Sequence, residues 1–127
     1  MSYIVNENEV EAKELPGRSL RWLYTPEMKQ AIGLTFNVVV IKPGNTVKPA
    51  HSHKNNEELV YIVSGSGKAF IDGKVYDISA GSAILFSPGS IHMLRNSGDG
   101  DMKVACFFTP PATLKDYTFH DDIEFPE

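Results

Sequence analysis

Residues 51–58, with the sequence His51-Ser-His-Lys-Asn-Asn-Glu-Glu58, carry the feature from which the fold and the site can be deduced. In an extended strand, successive side chains point to opposite faces, so His51 and His53 can direct their imidazoles to one point. Glu58 returns on the next strand, and His92 arrives much later from a third. Three of the four histidines in the chain and one carboxylate therefore fall where a single metal ion would bind them.

The donor set indicates which metals would suit this cluster. Imidazole and carboxylate together favour first-row transition cations, namely Mn, Fe, Co, Ni, Cu or Zn. Three neutral imidazoles and one carboxylate leave one or two positions open on a five- or six-coordinate ion, and open positions allow a metal to take part in chemistry. We therefore expect one divalent transition metal as the cofactor, without a choice among these six.

Length and composition predict one small all-β domain. The chain has 127 residues, with 10 Gly and 8 Pro placed between short apolar runs, which is typical of many strands joined by turns. A net charge of −4 without a Lys/Arg cluster argues against a nucleic-acid or anionic-membrane surface. No segment approaches the roughly 20 apolar residues that span a bilayer. Because the polar N-terminus also lacks the apolar stretch of a signal peptide, we expect a cytoplasmic protein.

Strand-forming runs recur between glycine and proline turns. Asp72-Gly73 lies between two such runs and predicts a type I′ hairpin. Gly98-Asp-Gly100 predicts a second hairpin, between the last two runs. A brief helix or turn is predicted at Thr25–Met28. The spacing predicts about six to eight strands in a sandwich or barrel, formed by residues 19–24, 34–41, 59–63, 68–71, 74–78, 83–86, 91–96 and 102–109.

A glycine-framed motif surrounds the first two histidines. It runs from Gly44 through six residues to His51-x-His53, then four residues to Glu58 and six more to Gly65. This pattern resembles the first motif of the cupin superfamily, apart from one additional residue after the first glycine. A bulge or a wider turn could accommodate that residue.

A second motif surrounds the third histidine. It runs from Gly81 through five residues to Ser87-Pro-Gly89, then two residues to His92 and three more to Asn96. This pattern resembles the second cupin motif, with the proline one place late. Neither departure removes a ligand position of the family.

The resemblance implies an all-β fold, an antiparallel double-sheet jelly-roll barrel with short N- and C-terminal extensions. The single domain 1–127 would comprise a motif-bearing barrel at about 34–109, an N-terminal segment 1–33 and a tail 110–127. The resemblance also makes a homodimer the default. We expect both extensions to pack on the barrel or across the dimer, since the tail carries the apolar residues Leu114, Tyr117, Phe119, Ile123 and Phe125.

The resemblance also implies that His51, His53, Glu58 and His92 are the metal ligands, inside the mouth of the barrel. From the residues alone, the first two could be histidines of a surface loop, and the last could be a hydrogen-bonded core histidine. Glu57 is a rival to Glu58, but it is one residue out of register and is expected to be solvated on the opposite face.

Several further residues are candidates for the site. Cys106 lies in an apolar run and is expected to be a small buried hydrophobe rather than a nucleophile. His120 is expected to be an ordinary tail residue, with capping of the pocket as the alternative. Four residues could line the barrel mouth and hold an anionic substrate, or could simply be edge-strand and interface side chains. They are Arg18, Arg21, Trp22 and Tyr24. The apolar wall is expected to consist of Phe36, Val38, Val40, Val60, Ile62, Phe70, Ile84, Phe86, Leu94 and Phe107.

Two functions from different classes fit these observations. The favoured one is a metal-dependent enzyme that acts on a small oxygen-rich molecule, such as an organic acid, a sugar derivative or an enol. Dioxygenase, decarboxylase, isomerase and lyase chemistry all remain open, and no catalytic residue beyond the ligands is assigned. The alternative is a non-catalytic cupin, a ligand-binding or sensory protein in which the metal only anchors a small molecule.

Overall fold

The computed structural model of the protein describes residues 4–28 and 33–126. Within them the chain forms strands and three short 3-10 helices, at Glu7–Glu9, Pro26–Met28 and Leu114–Asp116. The strands are β1 (Lys13–Leu15), β2 (Arg18–Tyr24), β3 (Thr35–Ile41), β4 (Ala50–His53), β5 (Glu57–Ser64), β6 (Ser66–Ile71), β7 (Lys74–Ser79), β8 (Ala83–Phe86), β9 (His92–Asn96), β10 (Met102–Thr109) and β11 (Tyr117–His120). The eight predicted runs are all present, and β1, β4 and β11 are additional.

The strands form two antiparallel sheets, which confirms the predicted fold class. The six-stranded sheet has the order β1-β2-β3-β10-β5-β8, and the five-stranded sheet has the order β11-β4-β9-β6-β7. The two sheets face each other without closing into a continuous barrel. Strands that are distant in sequence thereby become neighbours, and the site lies between the sheets.

Alternation along the strands places one face of each sheet in the core. In β10 the buried positions are Met102, Val104, Cys106 and Phe108, and in β5 they include Val60 and Ile62. Residues from both sheets form the main core cluster with these, among them Leu20, Val39, Ile41, Ala69, Ile78, Ile84, Phe86 and Leu94.

Five of the ten residues expected to form the apolar wall face away from the space between the sheets, so that part of the prediction was wrong. Phe36 and Phe107 are cross-strand neighbours on the outer face of the six-stranded sheet, with ring centroids 4.5 Å apart. Phe70 packs beneath Phe125 of the tail, in a separate small cluster. The remaining two, Val38 and Val40, alternate with inward-facing residues of β3. In a run in which both faces are apolar, polarity cannot tell which side faces inward.

Of the two predicted hairpins, the structure contains the first and not the second. Asp72 and Gly73 have φ values of 47° and 90°, as a type I′ turn requires, and they join the paired strands β6 and β7. The hairpin predicted at 98–100 was wrong, because β9 and β10 belong to different sheets. This loop crosses between the sheets, and Asn96 holds it by donating to Gly100 O at 2.8 Å and accepting from Gly98 N at 2.9 Å.

Both chain extensions contribute strands to the two sheets. The N-terminal segment forms an edge hairpin, β1–β2, that turns at Pro16-Gly17. In the tail, β11 pairs with β4, so that Tyr117 lies opposite His53. Phe125 packs on the five-stranded sheet beneath Arg95, whose guanidinium lies 4.4 Å from the ring centroid. No helix in the described part of the chain is long and apolar enough to cross a membrane.

Candidate metal centre

The four predicted ligands come from three strands that meet between the sheets. His51 and His53 point the same way from β4, and His92 on β9 is directly paired with His51. Glu58 reaches the same place from β5 in the opposite sheet, where it shares the inward face of the strand with Val60 and Ile62. The structure thus brings together all four side chains that the sequence singled out.

The ligand atoms of this cluster converge on a small volume. One nitrogen from each histidine and one oxygen from Glu58 all lie within 4.8 Å of one another, and all four residues are buried. Glu58 Oε1 is 3.1 Å from His53 Nε2 and 3.1 Å from His92 Nε2. Such a group of donors is positioned to hold a single metal ion.

Hydrogen bonds to the backbone determine which nitrogen two of the imidazoles present to the cluster. His51 Nδ1 lies 3.1 Å from Pro49 O, and His92 Nδ1 lies 3.0 Å from Ser90 O. Because a carbonyl only accepts, both Nδ1 atoms must carry the hydrogen, which leaves Nε2 with a free lone pair. This is the tautomer that a metal ligand needs.

Two buried nitrogens have no hydrogen-bond partner, which tests whether a metal fits the cluster. His92 Nε2 is close to Glu58, but its direction does not make a hydrogen bond, and no other described group satisfies it. His53 Nδ1 is also unsatisfied. Buried polar atoms normally have a partner, so an unsatisfied Nε2 whose Nδ1 is already bonded fits a site that binds an ion.

The electrostatics of the cluster keep the donors in the state that binds metals. Burial, together with the neighbouring His92, lowers the pKa of His51 to about 3, so this imidazole is neutral at physiological pH. Burial alone would raise the pKa of Glu58, but the imidazoles of His53 and His92 outweigh it and lower that pKa below its ordinary value. Glu58 is therefore a carboxylate.

Aromatic rings support the imidazoles from the outside. Phe86 stacks on His92, with ring centroids 3.8 Å apart and planes 4° from parallel. Tyr117 stacks on His51 at 5.0 Å and contacts His53 edge-on at 4.4 Å. Tyr117 was not among the site residues predicted from the sequence. In the sequence, the only indication of burial at Tyr117 was the apolar character of the tail, and this did not show that β11 would pair with β4.

The cavity at this cluster is small, about 30 Å³. Besides His51, Glu58 and His92, its polar and sulfur-containing lining consists of Arg18, Cys106 and Tyr117. Burial and, secondarily, the charge of Glu58 raise the pKa values of the Cys106 thiol and the Tyr117 hydroxyl, so both groups stay protonated. Cys106 is thus a buried thiol and a poor nucleophile, as its sequence context indicated.

Most of the other candidate residues from the sequence lie away from the cluster. Glu57 is exposed, which removes it as the rival ligand. His120 Nε2 lies 2.9 Å from the Ser52 hydroxyl oxygen on β4 and does not line the cavity. Arg21 Nε donates to Val10 O at 3.1 Å, on the outer side of β2. Of the four residues proposed for the barrel mouth, Arg18 alone lines the cavity of the cluster.

Comparison with known sequences agrees with this geometry. The family profile for the cupin domain matches residues 37–108, which include all four residues of the cluster. The chain is 28% identical to the polyketide synthase CurC of Streptomyces cyaneus, over 97% of its own length and 79% of that protein. It is 34% identical to the L-ectoine synthase of Saccharophagus degradans, over 72% of its own length and 66% of that protein.

Solved structures share the fold. The nucleoside dehydratase Pac13 of Streptomyces superimposes with a TM-score of 0.76 at 18% identity, covering 94% of this chain and 92% of that one. A predicted oxalate decarboxylase of Thermotoga maritima has a TM-score of 0.76 at 22% identity, covering 84% of this chain and 98% of that one. Such low identities show a common fold and no more. Because the family profile covers more than half of the chain, this protein belongs to the cupin-domain family.

Proposed function

We propose that the protein is a metal-dependent enzyme that acts on a small oxygen-rich molecule between its two sheets. His51, His53, Glu58 and His92 would hold one divalent ion, of Mn, Fe, Co, Ni, Cu or Zn. The observation that carries this assignment is the pair of imidazoles, His51 and His92, whose Nδ1 atoms are bonded to carbonyls while their Nε2 atoms face the Glu58 carboxylate.

The charge of this donor set favours an anionic oxygen ligand. A divalent ion and one carboxylate, with three neutral imidazoles, leave a net charge of +1, and the bound ion would stabilise negative charge on a substrate oxygen. Phe86, Leu94 and Val104 line the cavity and exclude water, which strengthens electrostatic attraction there. Organic acids, sugar derivatives and enols present such oxygens.

Relatives support turnover over simple binding. The L-ectoine synthase that shares 34% identity with this chain is named for a synthetic reaction. The alternative remains a ligand-binding or sensory cupin, in which the same cluster anchors a molecule without changing it. Both functions use the same four residues, so the site alone favours neither.

Metal analysis followed by activity screens tests this proposal. The purified protein is expected to contain one transition metal per chain. Oxygen uptake and proton exchange are then measured with a panel of small acids, enols and sugar derivatives. Turnover of any panel member supports the enzyme, whereas stoichiometric binding of a panel member without turnover supports the ligand-binding alternative. A protein that takes up no metal contradicts both functions.

We further propose a homodimer, assembled through the outer face of the six-stranded sheet. One continuous cross-strand row of apolar residues crosses this face. It consists of Phe36 on β3, Phe107 on β10, Leu59 on β5 and Leu85 on β8. Leu59 is 46% exposed and Leu85 is 55% exposed, and Tyr61 next to them is 46% exposed. A contiguous apolar row on a sheet face is typical of an interface between subunits.

A cytoplasmic location is also proposed. The single cysteine of the chain, Cys106, is buried and forms no disulfide. This accords with a reducing compartment.

A further inference from the structure

The cavity of the candidate metal centre has a second polar wall, formed by Arg18. This residue begins β2 and lines the cavity together with Tyr117 and three of the four candidate ligands. Arg18 is 9% exposed, and its Nη1 donates a hydrogen bond to Pro16 O over 3.1 Å. The Tyr117 hydroxyl lies close enough to the guanidinium to interact with its charge. Arg18 therefore presents a fixed positive charge opposite the cluster.

This cation lacks a carboxylate of its own. Across residues 4–28 and 33–126, no acidic side chain forms an ion pair with Arg18. The negative charge that acts on it is Glu58, across the cavity, and that carboxylate belongs to the candidate metal centre. A buried charge without an ionic partner lowers the stability of the folded protein, and a guanidinium does not lose its proton to relieve this cost. The arrangement is explained if an anion from outside the chain occupies the space between Arg18 and the metal.

The net charge of the cavity with a metal ion bound also favours an anionic ligand. A divalent ion, one carboxylate and one guanidinium leave a net charge of +2 in a space of about 30 Å³. One anionic oxygen group would neutralise only half of this charge. A compact molecule with two such groups would neutralise all of it. Because the cavity is small but partly open, such a molecule would extend into that opening, and its length would have to match the distance between the two binding groups.

We propose that Arg18 binds an anionic group of the substrate, and that the substrate is a compact acid with two acidic oxygen groups, one at the metal and one at Arg18. This inference rests on the proposed function and narrows its substrate class. Small dicarboxylates and 2-oxo acids that enolise meet the requirement, while neutral sugar derivatives do not. The planar guanidinium can bind a carboxylate through two parallel hydrogen bonds, which sets the orientation of the substrate as well as its affinity.

Tyr117 is a positioning residue for this arginine. Because a guanidinium only donates, the Tyr117 oxygen can act only as an acceptor towards Arg18, which leaves its own hydrogen free for an acceptor in the cavity. Pro16 O holds the guanidinium from the other side. Together they keep the cation at the cavity wall rather than in solvent.

Malonate and malonamate provide a test, because they have nearly the same shape but carry two negative charges and one. Their binding to the cobalt-loaded protein is measured by calorimetry and by the absorption of the cobalt ion. The wild-type protein is expected to bind malonate at least about ten-fold more tightly than malonamate. In Arg18→Gln this preference should fall to about three-fold or less, with malonamate affinity nearly unchanged. Arg21→Gln, on the same strand but outside the cavity, should keep the full preference.

The outcomes separate this inference from the proposed function. If Arg18→Gln keeps its metal, its melting temperature and the wild-type preference for malonate, both carboxylates bind the metal and the role of Arg18 is wrong. If Arg18→Gln does not fold, Arg18→Lys replaces it, and its preference must fall at least about three-fold for the proposal to stand. If the wild-type protein binds metal but neither acid, the inference of a substrate with two acidic groups is wrong, while the proposed function is contradicted only if the protein takes up no metal.

Discussion

His51 and His92 are directly paired across β4 and β9, and their ring centroids lie 4.4 Å apart. Each of them directs Nδ1 to the carbonyl two residues earlier in its own chain segment, Pro49 O and Ser90 O respectively. Two segments that are far apart in sequence thus build the same local arrangement. The backbone selects the tautomer in both cases, so the two Nε2 atoms are available for a metal before any ion binds.

Removal of two histidines should abolish metal binding. In the double variant His51→Ala/His92→Ala, two of four donors are lost, and the remaining imidazole and carboxylate cannot hold an ion tightly. Metal analysis of the purified variant is expected to find far less than one equivalent. His120→Ala, a histidine outside the cluster, should retain the wild-type content. A full equivalent of tightly bound metal in the double variant would contradict the ligand assignment.

The stability of the metal-free protein should decrease as the pH falls below about 6.5. Because the pKa of His51 is lowered to about 3 in the folded state, the unfolded chain binds a proton that the folded protein does not. This contribution is fully present above the unfolded pKa and is lost by up to about 1.4 kcal/mol per pH unit below it. Urea unfolding between about pH 7.5 and pH 5 measures the slope.

The control for this pH dependence is a pair of histidine variants. His51→Gln removes the titrating group and should flatten the slope over this range, while His120→Gln should leave it unchanged. An unaltered slope in His51→Gln would show that another group causes the pH dependence.

Gly17→Ala should destabilise the protein more than the same change at another glycine with a positive φ. Gly17 has a φ of 77°, and an added Cβ would lie 1.7 Å from Thr46 O, a backbone atom that cannot move aside. Gly44 has a φ of 80° but no atom within 4 Å of an added Cβ. We expect a loss of about 1–2 kcal/mol for Gly44→Ala from backbone strain alone, and about 3 kcal/mol or more for Gly17→Ala.

Chemical unfolding of both glycine variants checks this difference. Equal losses would mean that the β1–β2 turn moves away from Thr46 without cost. In that case the turn would not hold Arg18 at the cavity wall.

Charges on the outer face of the six-stranded sheet should dissociate the proposed dimer. Leu59→Lys and Leu85→Lys each place a cation in the apolar row, where burial against a second copy would be costly. Sedimentation of the wild-type protein at micromolar concentration should give about twice 14.1 kDa, and each variant should approach 14.1 kDa. Val75→Lys, at an exposed apolar residue on β7 in the other sheet, should remain dimeric. A wild-type mass near 14.1 kDa would contradict the dimer.

Local patterns in the amino-acid sequence predict the all-β class and most strand positions, and the resemblance to the two cupin motifs picks out the four residues of the cluster. Local rules suffice for the strands and turns, and motif spacing supplies the cluster. Two-residue alternation places His51 and His53 on one side of β4, and Asp72-Gly73 allows the positive φ values of a type I′ turn. Spacing to the framing glycines separated Glu58 from Glu57.

The pairing of the strands, and with it the rest of the site, depends on the three-dimensional fold. The residues 98–100 suggested a hairpin, but β9 and β10 belong to opposite sheets because their partners are distant in sequence. In β3, where both faces are apolar, strand pairing rather than polarity decides that Phe36 faces outward. Tyr117 and Arg18 reach the cavity only because β11 pairs with β4 and because β2 follows a tight turn. These are long-range contacts, and a single strand's pattern of polar and apolar residues does not encode its neighbour.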